Sequence, residues 1–295
     1  MSKPVFNLVK KLVSIFPPTW PSKIYNILLK APFLKRFLSL VIQRITSDHI
    51  DLPEGKIIFD KDDPVMSGGI SLGDYEPETV ALFRSSLKDG MTVVDIGANL
   101  GYFTVIAAGR VGPLGKVYSY EPDSRNFKLL KENIAVNNFK NVTAIPIALS
   151  DCAGTRELFF GDNQCTHSFS DKKGAGIFES VPTDTLDNSL KSLGSSKVDI
   201  IKIDIEGAEP IALEGMRETI RINPNLTMLF EFYPNAIKRL GYSPLGFLER
   251  VKEFGFSISV IDEDGRTRDI VNDLAAFSKS FPEKDLSKNL VAVKV

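Results

Sequence analysis

From Glu76 onward, the chain alternates short runs rich in β-branched residues with longer stretches of helical periodicity. The strand-like runs are Thr92–Ile96, Lys116–Tyr120, Val142–Ile147, Val198–Ile203, Leu226–Phe232, Phe256–Ile261 and Leu290–Val293. The helical stretches cover Glu78–Leu87, Gly101–Arg110 and Ser124–Asn137, and two more begin near Glu209 and Ser243. Because strands that alternate with helices form βαβ units, this pattern predicts an α/β fold in which helices cover both faces of a mostly parallel sheet.

Two segments precede this predicted domain, which we place at residues 76–295. Residues 1–47 contain eight Lys and Arg residues and no acid, and the remaining 28 basic and 37 acidic residues give the rest of the chain a net charge of −9. Apolar residues at helical spacing predict a basic, amphipathic N-terminal helical extension over residues 1–47. This extension either caps the main domain, which is the interpretation we favour, or makes a peripheral membrane contact. Residues 48–75 are rich in Gly, Asp and Pro and predict a linker with short strands.

Composition narrows the class of protein. Hydrophobic residues make up 43% of the chain and charged residues 25%, which excludes a disordered chain, and a total of two cysteines excludes a disulfide framework. The acidic body argues against a nucleic-acid partner. No uncharged run in residues 1–47 reaches about 18 residues, so we expect no membrane span there. The expected location is cytoplasmic, with a peripheral position at a membrane as the alternative.

A glycine-containing loop carries the main functional motif. The predicted strand that holds Asp95 runs into Gly97-Ala98-Asn99-Leu100-Gly101, a helix follows, and the next strand ends at Glu121. An acid at that strand end can accept hydrogen bonds from both ribose hydroxyls of a nucleoside. A dinucleotide fingerprint would need glycine where Asn99 and Tyr102 stand, so the pattern does not describe a pyrophosphate site. A carboxylate at Asp95 suits an ammonium group instead, which favours S-adenosylmethionine as the cofactor.

The sequence resembles the FkbM family of S-adenosylmethionine-dependent methyltransferases over about residues 74–262. The segments that carry the resemblance are Asp74–Glu78, Gly90–Thr104, Glu121-Pro122, Ala148–Asp151, Thr183–Asp187 and Lys202–Glu209. The resemblance implies a class I methyltransferase (Rossmann-like) fold with a seven-stranded sheet whose last strand is antiparallel. It also implies methyl transfer to a hydroxyl oxygen, often in sugars, glycans or natural products.

The resemblance also implies which residues bind S-adenosyl-L-methionine. The methionine end of the cofactor would be held by Asp95, Gly97, Asn99 and Gly101, and the ribose by Glu121. Ala148 and Leu149 would border the adenine. Many class I enzymes have an acid at the position of Ala148 to hold the adenine amine, and Asp151 is a candidate substitute for it. Glu76, upstream of the first strand, could close over the cofactor.

Acidic residues cluster after the predicted fourth strand, on the side that faces the methyl acceptor in this architecture. Asp204 and Glu206 are the candidate catalytic groups, because carboxylates can deprotonate or orient a hydroxyl. For Glu209 we favour a structural role in which its side chain holds backbone amides at the start of the next helix. Residues 151–182 interrupt the strand–helix alternation and predict an insertion near the acceptor site. His167 in this insertion is a further candidate base.

A divalent metal is considered but not favoured, and no metal ligand is assigned. Asp204 and Glu206 with Glu231 could provide oxygen ligands for magnesium. Charge is lost, however, when an oxygen attacks a sulfonium methyl group, so the reaction needs no metal to stabilise a developing anion.

The sequence therefore predicts a methyltransferase that methylates a hydroxyl of a sugar, a glycan or a related small molecule. One alternative is a lipid-linked or polyketide-like acceptor. The other is a non-catalytic nucleoside-binding protein of the same fold.

Overall fold

The computed structural model describes residues 49–59, 70, 75–160, 168–170, 178–281 and 286–295. The predicted helical extension at residues 1–47, most of the predicted linker and the candidate base His167 lie outside the described residues. The chain divides into two compact units, and the larger one comprises residues 51–57 and 76–295. The fold and the site below belong to this larger unit.

The described elements follow the predicted alternation of strands and helices. The strands are β1 (His49–Asp51), β2 (Lys56–Ile58), β3 (Thr92–Ile96), β4 (Lys116–Tyr120), β5 (Val142–Ile145), β6 (Ala148–Leu149), β7 (Gly154–Phe159), β8 (Phe178–Asp184), β9 (Ile200–Ile203), β10 (Thr227–Phe232), β11 (Phe256–Ile261), β12 (Thr267–Asp269) and β13 (Lys288–Lys294). The helices are α1 (Pro77–Ser86), α2 (Tyr102–Val111), α3 (Ser124–Val136), α4 (Leu186–Ser192), α5 (Glu209–Glu214), α6 (Arg217–Ile222), α7 (Pro234–Arg239), α8 (Pro244–Glu253) and α9 (Leu274–Lys279).

The central sheet has the strand order β12-β11-β13-β10-β9-β3-β4-β5. The pairs from β10 through β9, β3 and β4 to β5 are all parallel. Strand β13 is antiparallel and lies between β10 and β11, so the predicted class I methyltransferase arrangement and its antiparallel last strand are confirmed.

The prediction of seven strands is corrected to eight, because β12 adds a short edge strand next to β11. A tight hairpin makes this addition: the Gly265 N–H bonds to the Asp262 carbonyl at 2.9 Å, and Gly265 has a positive φ of 77°. All three residues of β12 are exposed. An exposed polar strand has no alternation of apolar and polar residues, so the sequence pattern gave no sign of it.

The central strands are buried on both faces, which explains why they are so apolar in sequence. All five residues of β3 and all four of β9 are buried. Their side chains pack under helices on each side, with Val105 and Ile106 of α2 and Leu248 of α8 among the fully buried residues. Each such side chain contributes about 1.5–3 kcal/mol to folding. The resulting platform holds the loops at the carboxyl edge of the sheet in fixed positions.

The predicted insertion, residues 151–182, contains a β-hairpin. Strands β7 and β8 pair antiparallel, and β6 pairs parallel with β8, which makes a small three-stranded sheet. The predicted strand Val142–Ile147 therefore ends at Ile145, because the chain turns there and β6 joins the small sheet. Ala148, Leu158 and Val181 form its buried cluster, against which Phe169 packs.

Side chains cap the starts of α3 and α8. The Asp123 side chain accepts a hydrogen bond from the Asn126 N–H at 2.7 Å, and Ser243 does the same for Gly246 at 3.0 Å. Each such cap contributes about 1 kcal/mol. Of the helices in the described part of the chain, none is long and apolar enough to cross a membrane.

Candidate active site

A cleft opens at the carboxyl ends of β3, β4 and β9. This edge is where open α/β sheets bind their ligands. The cleft is lined by Ile96, Gly97, Asn99, Tyr120, Glu121, Pro122, Asn126, Ile147, Ala148, Leu149, Leu158, Ser168, Phe169, Asp204, Ile205, Glu206 and Ala208. Predicted cofactor residues and predicted acceptor-side residues thus share one cleft.

The glycine loop is fixed against the end of the neighbouring strand. The backbone N–H groups of Gly97 and Ala98 both donate to the Tyr120 carbonyl at 3.0 Å. Gly97 has a φ of 78°, and a Cβ atom on it would lie 2.0 Å from the carbonyl oxygen of Asp204. Only glycine fits there, because any side chain would separate the first loop from the loop after β9. Gly101 begins α2 and packs against Leu130, outside the cleft lining.

Glu121 is the buried carboxyl group of the cleft. One of its oxygens accepts the Asn99 N–H at 2.7 Å and the other accepts the Asp123 N–H at 2.9 Å. Burial raises the pKa of Glu121 to about 8 despite these two hydrogen bonds. A buried carboxyl group that lines a cleft suits a ligand that brings hydroxyl donors, as a ribose does. Asn99 itself has a φ of 52°, which turns its backbone N–H toward Glu121.

Asp95 lies behind the loop and does not line the cleft in the part of the chain that the structure describes. Its carboxylate accepts a hydrogen bond from the Thr104 hydroxyl at 2.6 Å, and Thr104 in turn contacts Ser119 at 2.8 Å. Burial raises the pKa of Asp95, while the Thr104 hydrogen bond and the nearby Lys202 lower it. The geometry therefore makes Asp95 a support of the loop and of α2.

The end of the cleft predicted to hold adenine is apolar. Ala148 and Leu149 line it, together with Leu158 and Phe169 from the insertion, which sequence reasoning missed. Asp151 lies outside this lining and is exposed. Its carboxylate accepts hydrogen bonds from the Ser150 hydroxyl and the Arg156 guanidinium, both at 2.9 Å. The side chain of Asp151 thus contacts the insertion hairpin.

Asp204 and Glu206, in the loop after β9, also line the cleft. Strand β9 ends at Ile203, and the chain turns sharply at Glu206 and Gly207, whose φ angles are 54° and 100°. A positive φ at a non-glycine residue is uncommon and marks a constrained loop. The Asp204 carboxylate accepts a hydrogen bond from the Lys202 ammonium at 2.8 Å.

Glu209 holds this loop, in agreement with the structural role predicted for it. Its side chain is fully buried, and one oxygen accepts the N–H groups of Ile205 at 3.1 Å and Gly207 at 3.3 Å. Burial raises the pKa of Glu209 to about 7. Glu231, at the end of β10, faces the same region, and its pKa is raised by burial and by the charges of Asp204 and Glu206.

Glu76 lies near Lys202 and Asp204, and not among the cleft-lining residues of the described chain. Its carboxylate accepts a hydrogen bond from the Asn289 side chain at 3.0 Å, and burial raises its pKa. Lys202 is a functional candidate that sequence reasoning missed. The sequence did contain a sign of this role, because a lysine inside a buried strand must have a charged partner.

Among the residues that the structure describes, no three His, Cys, Asp or Glu side chains are arranged to hold a metal ion. The glycine loop, the buried Glu121 and the apolar end of the cleft fit S-adenosylmethionine, which brings a methionine, a ribose and an adenine. Fold and site together define a class I S-adenosylmethionine-dependent methyltransferase domain.

Residues 95–258, more than half of the chain, match the family of the methyltransferase FkbM domain. The protein belongs to this family, and its cofactor is S-adenosylmethionine.

Three relatives illustrate the range of similar proteins. Methyltransferase sdnD of Sordaria araneosa is 26% identical over 165 residues, which are 45% of this chain and 63% of the relative. A probable cobalt-precorrin-6B C(15)-methyltransferase (decarboxylating) of Sulfurisphaera tokodaii is 30% identical over 150 residues, 46% of this chain and 78% of the relative. Hexuronic acid methyltransferase AglP of Haloferax volcanii is 21% identical over 146 residues, 50% of this chain and 58% of the relative. The chain thus spans less than two thirds of sdnD and of AglP.

Proposed function

We propose that this protein transfers a methyl group from S-adenosylmethionine to a hydroxyl oxygen of a sugar or glycan. The observation that carries the proposal is the position of Asp204, which lines the cleft that also contains the buried Glu121. A group that accepts the acceptor's proton and a group that accepts ribose hydroxyls thus share one cleft at the carboxyl edge of the sheet.

The chain's own residues hold the cofactor and exclude water from it. Glu121 accepts the ribose hydroxyls, and the apolar wall of Ala148, Leu149 and Phe169 covers the adenine. When bound, the cofactor supplies an electrophilic methyl group, whose bond to sulfur breaks with its electron pair left on sulfur as the acceptor oxygen bonds to carbon. Correct alignment of the acceptor oxygen provides most of the acceleration.

The Asp204 carboxylate takes the proton that the acceptor hydroxyl loses. It does so within about 3 Å of the acceptor oxygen, directly or through one water molecule. Glu206, in the constrained turn that follows, accepts a second hydrogen bond from the acceptor and orients it. His167 stays a predicted alternative base on a segment outside the described residues.

The similarity to hexuronic acid methyltransferase AglP supports a sugar as the acceptor. Hydroxyl-rich rings also match a wall of carboxylates, because carboxylate oxygens are strong acceptors for hydroxyl groups. The lipid-linked or polyketide-like acceptor and the non-catalytic binding protein become outcomes of the test below.

The test incubates the purified full-length protein with methyl-labelled S-adenosylmethionine and a panel of neutral sugars, hexuronic acids, glycans, lipid-linked sugars and polyketides. We expect a labelled sugar product and formation of S-adenosylhomocysteine in equal amounts. Asp204→Asn should abolish most of this product, whereas Asp264→Asn, on the exposed hairpin far from the cleft, should not. Preferential labelling of a lipid-linked sugar or of a polyketide, or cofactor binding without turnover on any acceptor, would overturn the proposal.

A further inference from the structure

Lys202 places a buried positive charge beneath the acceptor-side wall of the cleft. Its side chain is 3% exposed, and its Nζ atom lies 2.8 Å from Oδ2 of Asp204, which is 22% exposed. The ammonium also lies over the Phe103 ring, 4.5 Å from the ring centroid. The lysine is therefore held from two sides, and its partner residue Asp204 lines the cleft.

Carboxylates from several elements face this pair. Lys202 faces Glu76 before α1, Asp95 on β3 and Asp204 after β9. Asp204 also faces Glu209 at the start of α5 and Glu231 at the end of β10. Burial by itself would lower the pKa of Lys202, but the charges of Asp204, Glu76 and Asp95 raise it above its ordinary value. The lysine thus stays charged at any pH at which the protein works.

We propose that Lys202 is a positioning residue whose buried ammonium, 2.8 Å from the Asp204 carboxylate, keeps that carboxylate directed into the cleft, so that it can accept the proton of the acceptor hydroxyl. This inference rests on the proposed function. Two residues of one extended strand end, separated by a single residue, direct their side chains to the same side, which explains the spacing of the pair.

The physical reason is the balance of charge around Asp204. With the ammonium removed, Asp204 faces carboxylates from every neighbouring element, and like charges favour its protonated form. Its hydrogen bond to Lys202 is lost as well, so its orientation in the cleft is less defined. Both effects reduce the fraction of protein that can accept a proton at neutral pH.

The first test measures the titration of Asp204 without cofactor, by carbon-13 NMR of protein labelled at Asp side chains, with Asp204→Asn to assign the signal. In Lys202→Met the midpoint of the Asp204 titration should move to higher pH, and in Lys202→Arg it should stay near that of the parent. Lys202→Gln, which also removes the charge but can donate a hydrogen bond, should give the same shift if Lys202→Met fails to fold. An unchanged midpoint in a folded neutral variant would overturn the proposal.

The chain offers a matched control just before the start of the same strand. Lys197 also pairs with an aspartate two residues on: its Nζ atom lies 3.1 Å from Asp199, but its side chain is 67% exposed. Lys197→Met should leave both the Asp204 titration and turnover unchanged. An equal effect of Lys197→Met and Lys202→Met would show a general effect on the strand and contradict a role for Lys202 in positioning Asp204.

Kinetics separates failure of this inference from failure of the proposed function. Lys202→Met should lower kcat on the order of 10–100-fold at neutral pH, with the acid limb of the pH–rate profile moved to higher pH. The double variant Lys202→Met/Asp204→Asn should be no slower than Asp204→Asn. If Asp204→Asn itself keeps full turnover, the proposed base is wrong. If Asp204→Asn is slow and the second change slows it equally again, Lys202 does not act through Asp204.

Discussion

The side-chain hydroxyl of Ser168 donates a hydrogen bond to the backbone carbonyl of Glu206 at 3.1 Å. Ser168 is buried, and its backbone exchanges two hydrogen bonds with Phe159 of the insertion hairpin, at 2.8 and 3.0 Å. Ser168 thus ties the insertion to the turn that carries the acceptor-side carboxylates. Because Phe169 lines the cleft next to it, the same short segment contacts both ends of the site.

Ser168→Ala should therefore weaken acceptor use more than cofactor binding. The lost hydrogen bond is worth about 0.5–1.5 kcal/mol, so kcat/KM for the acceptor should fall about 2- to 12-fold. Steady-state kinetics and calorimetric cofactor binding measure the two effects, with Ser170→Ala as the neighbouring control. A larger loss in cofactor affinity than in kcat/KM would show that the bond serves the cofactor end instead.

The raised pKa of Glu121 leads us to expect that cofactor binding depends on pH. Its pKa of about 8 means that it is mostly protonated at neutral pH in the cofactor-free protein, whereas its ionised form is the better acceptor for ribose hydroxyls. Binding should tighten by up to about tenfold per pH unit as the pH rises toward 8, and then level off. Calorimetry in buffers of different ionisation enthalpy should detect the proton released on binding.

Glu121→Gln should remove this pH dependence and weaken binding by about 1–3 kcal/mol at high pH. The same group affects stability with a definite sign. Because the folded-state pKa lies above the ordinary value of 4.5, the stability contributed by protonated Glu121 is present at low pH and lost as the pH rises through about 8. Between pH 4.5 and about 8, the free energy of unfolding of the cofactor-free parent should therefore fall more than that of Glu121→Gln. Parallel curves of unfolding free energy against pH would contradict the assignment.

A comparison of substitutions at Gly97 and Gly90 distinguishes the cost of a steric clash from the cost of backbone strain. Their φ angles are 78° and 77°, but a Cβ atom on Gly90 would meet nothing within 4 Å, whereas one on Gly97 would lie 2.0 Å from the Asp204 carbonyl oxygen. Gly90→Ala should cost about 1–2 kcal/mol through φ alone. Gly97→Ala should cost about 3 kcal/mol or more and also weaken cofactor binding. Equal losses in denaturant unfolding would show that the close approach has no energetic consequence.

Most of the fold could be predicted because its central strands obey a simple rule. Strands buried on both faces appear as short β-branched runs, so Thr92–Ile96, Lys116–Tyr120 and Phe256–Ile261 have the predicted bounds. The exposed strand Thr267–Asp269 has no such pattern, and the turn after Ile145 depends on pairing with the distant strand β8. Tertiary pairing of this kind leaves no local trace in the sequence.

The site could be predicted where the backbone imposes the residue type. Gly97 and Glu121 are fixed by the loop and by the strand end, so motif and structure coincide there. The orientation of a side chain cannot be predicted in this way. Asp95 turns behind the loop because its carboxylate accepts a hydrogen bond from the Thr104 hydroxyl in the first turn of α2. Lys202 was overlooked because its role depends on partners from β3 and from the start of α1, which are distant in sequence.

The final prediction concerns the two acceptor-side carboxylates. Asp204→Asn and Glu206→Gln preserve size and remove charge, and Glu121 accepts its hydrogen bonds from the Asn99 and Asp123 N–H groups, so cofactor affinity should stay within a few-fold. Loss of a base should instead lower turnover by roughly 10²–10⁴-fold in Asp204→Asn, because proton transfer at the reacting oxygen is what that group supplies. Glu206→Gln should act mainly on the acceptor's KM, since an amide oxygen still accepts one hydrogen bond. Isothermal titration with S-adenosylhomocysteine and single-turnover rates measure these effects. If His167→Ala lowers turnover more than Asp204→Asn does, the base lies on the insertion, and the acid limb should then report a histidine near about pH 6.5.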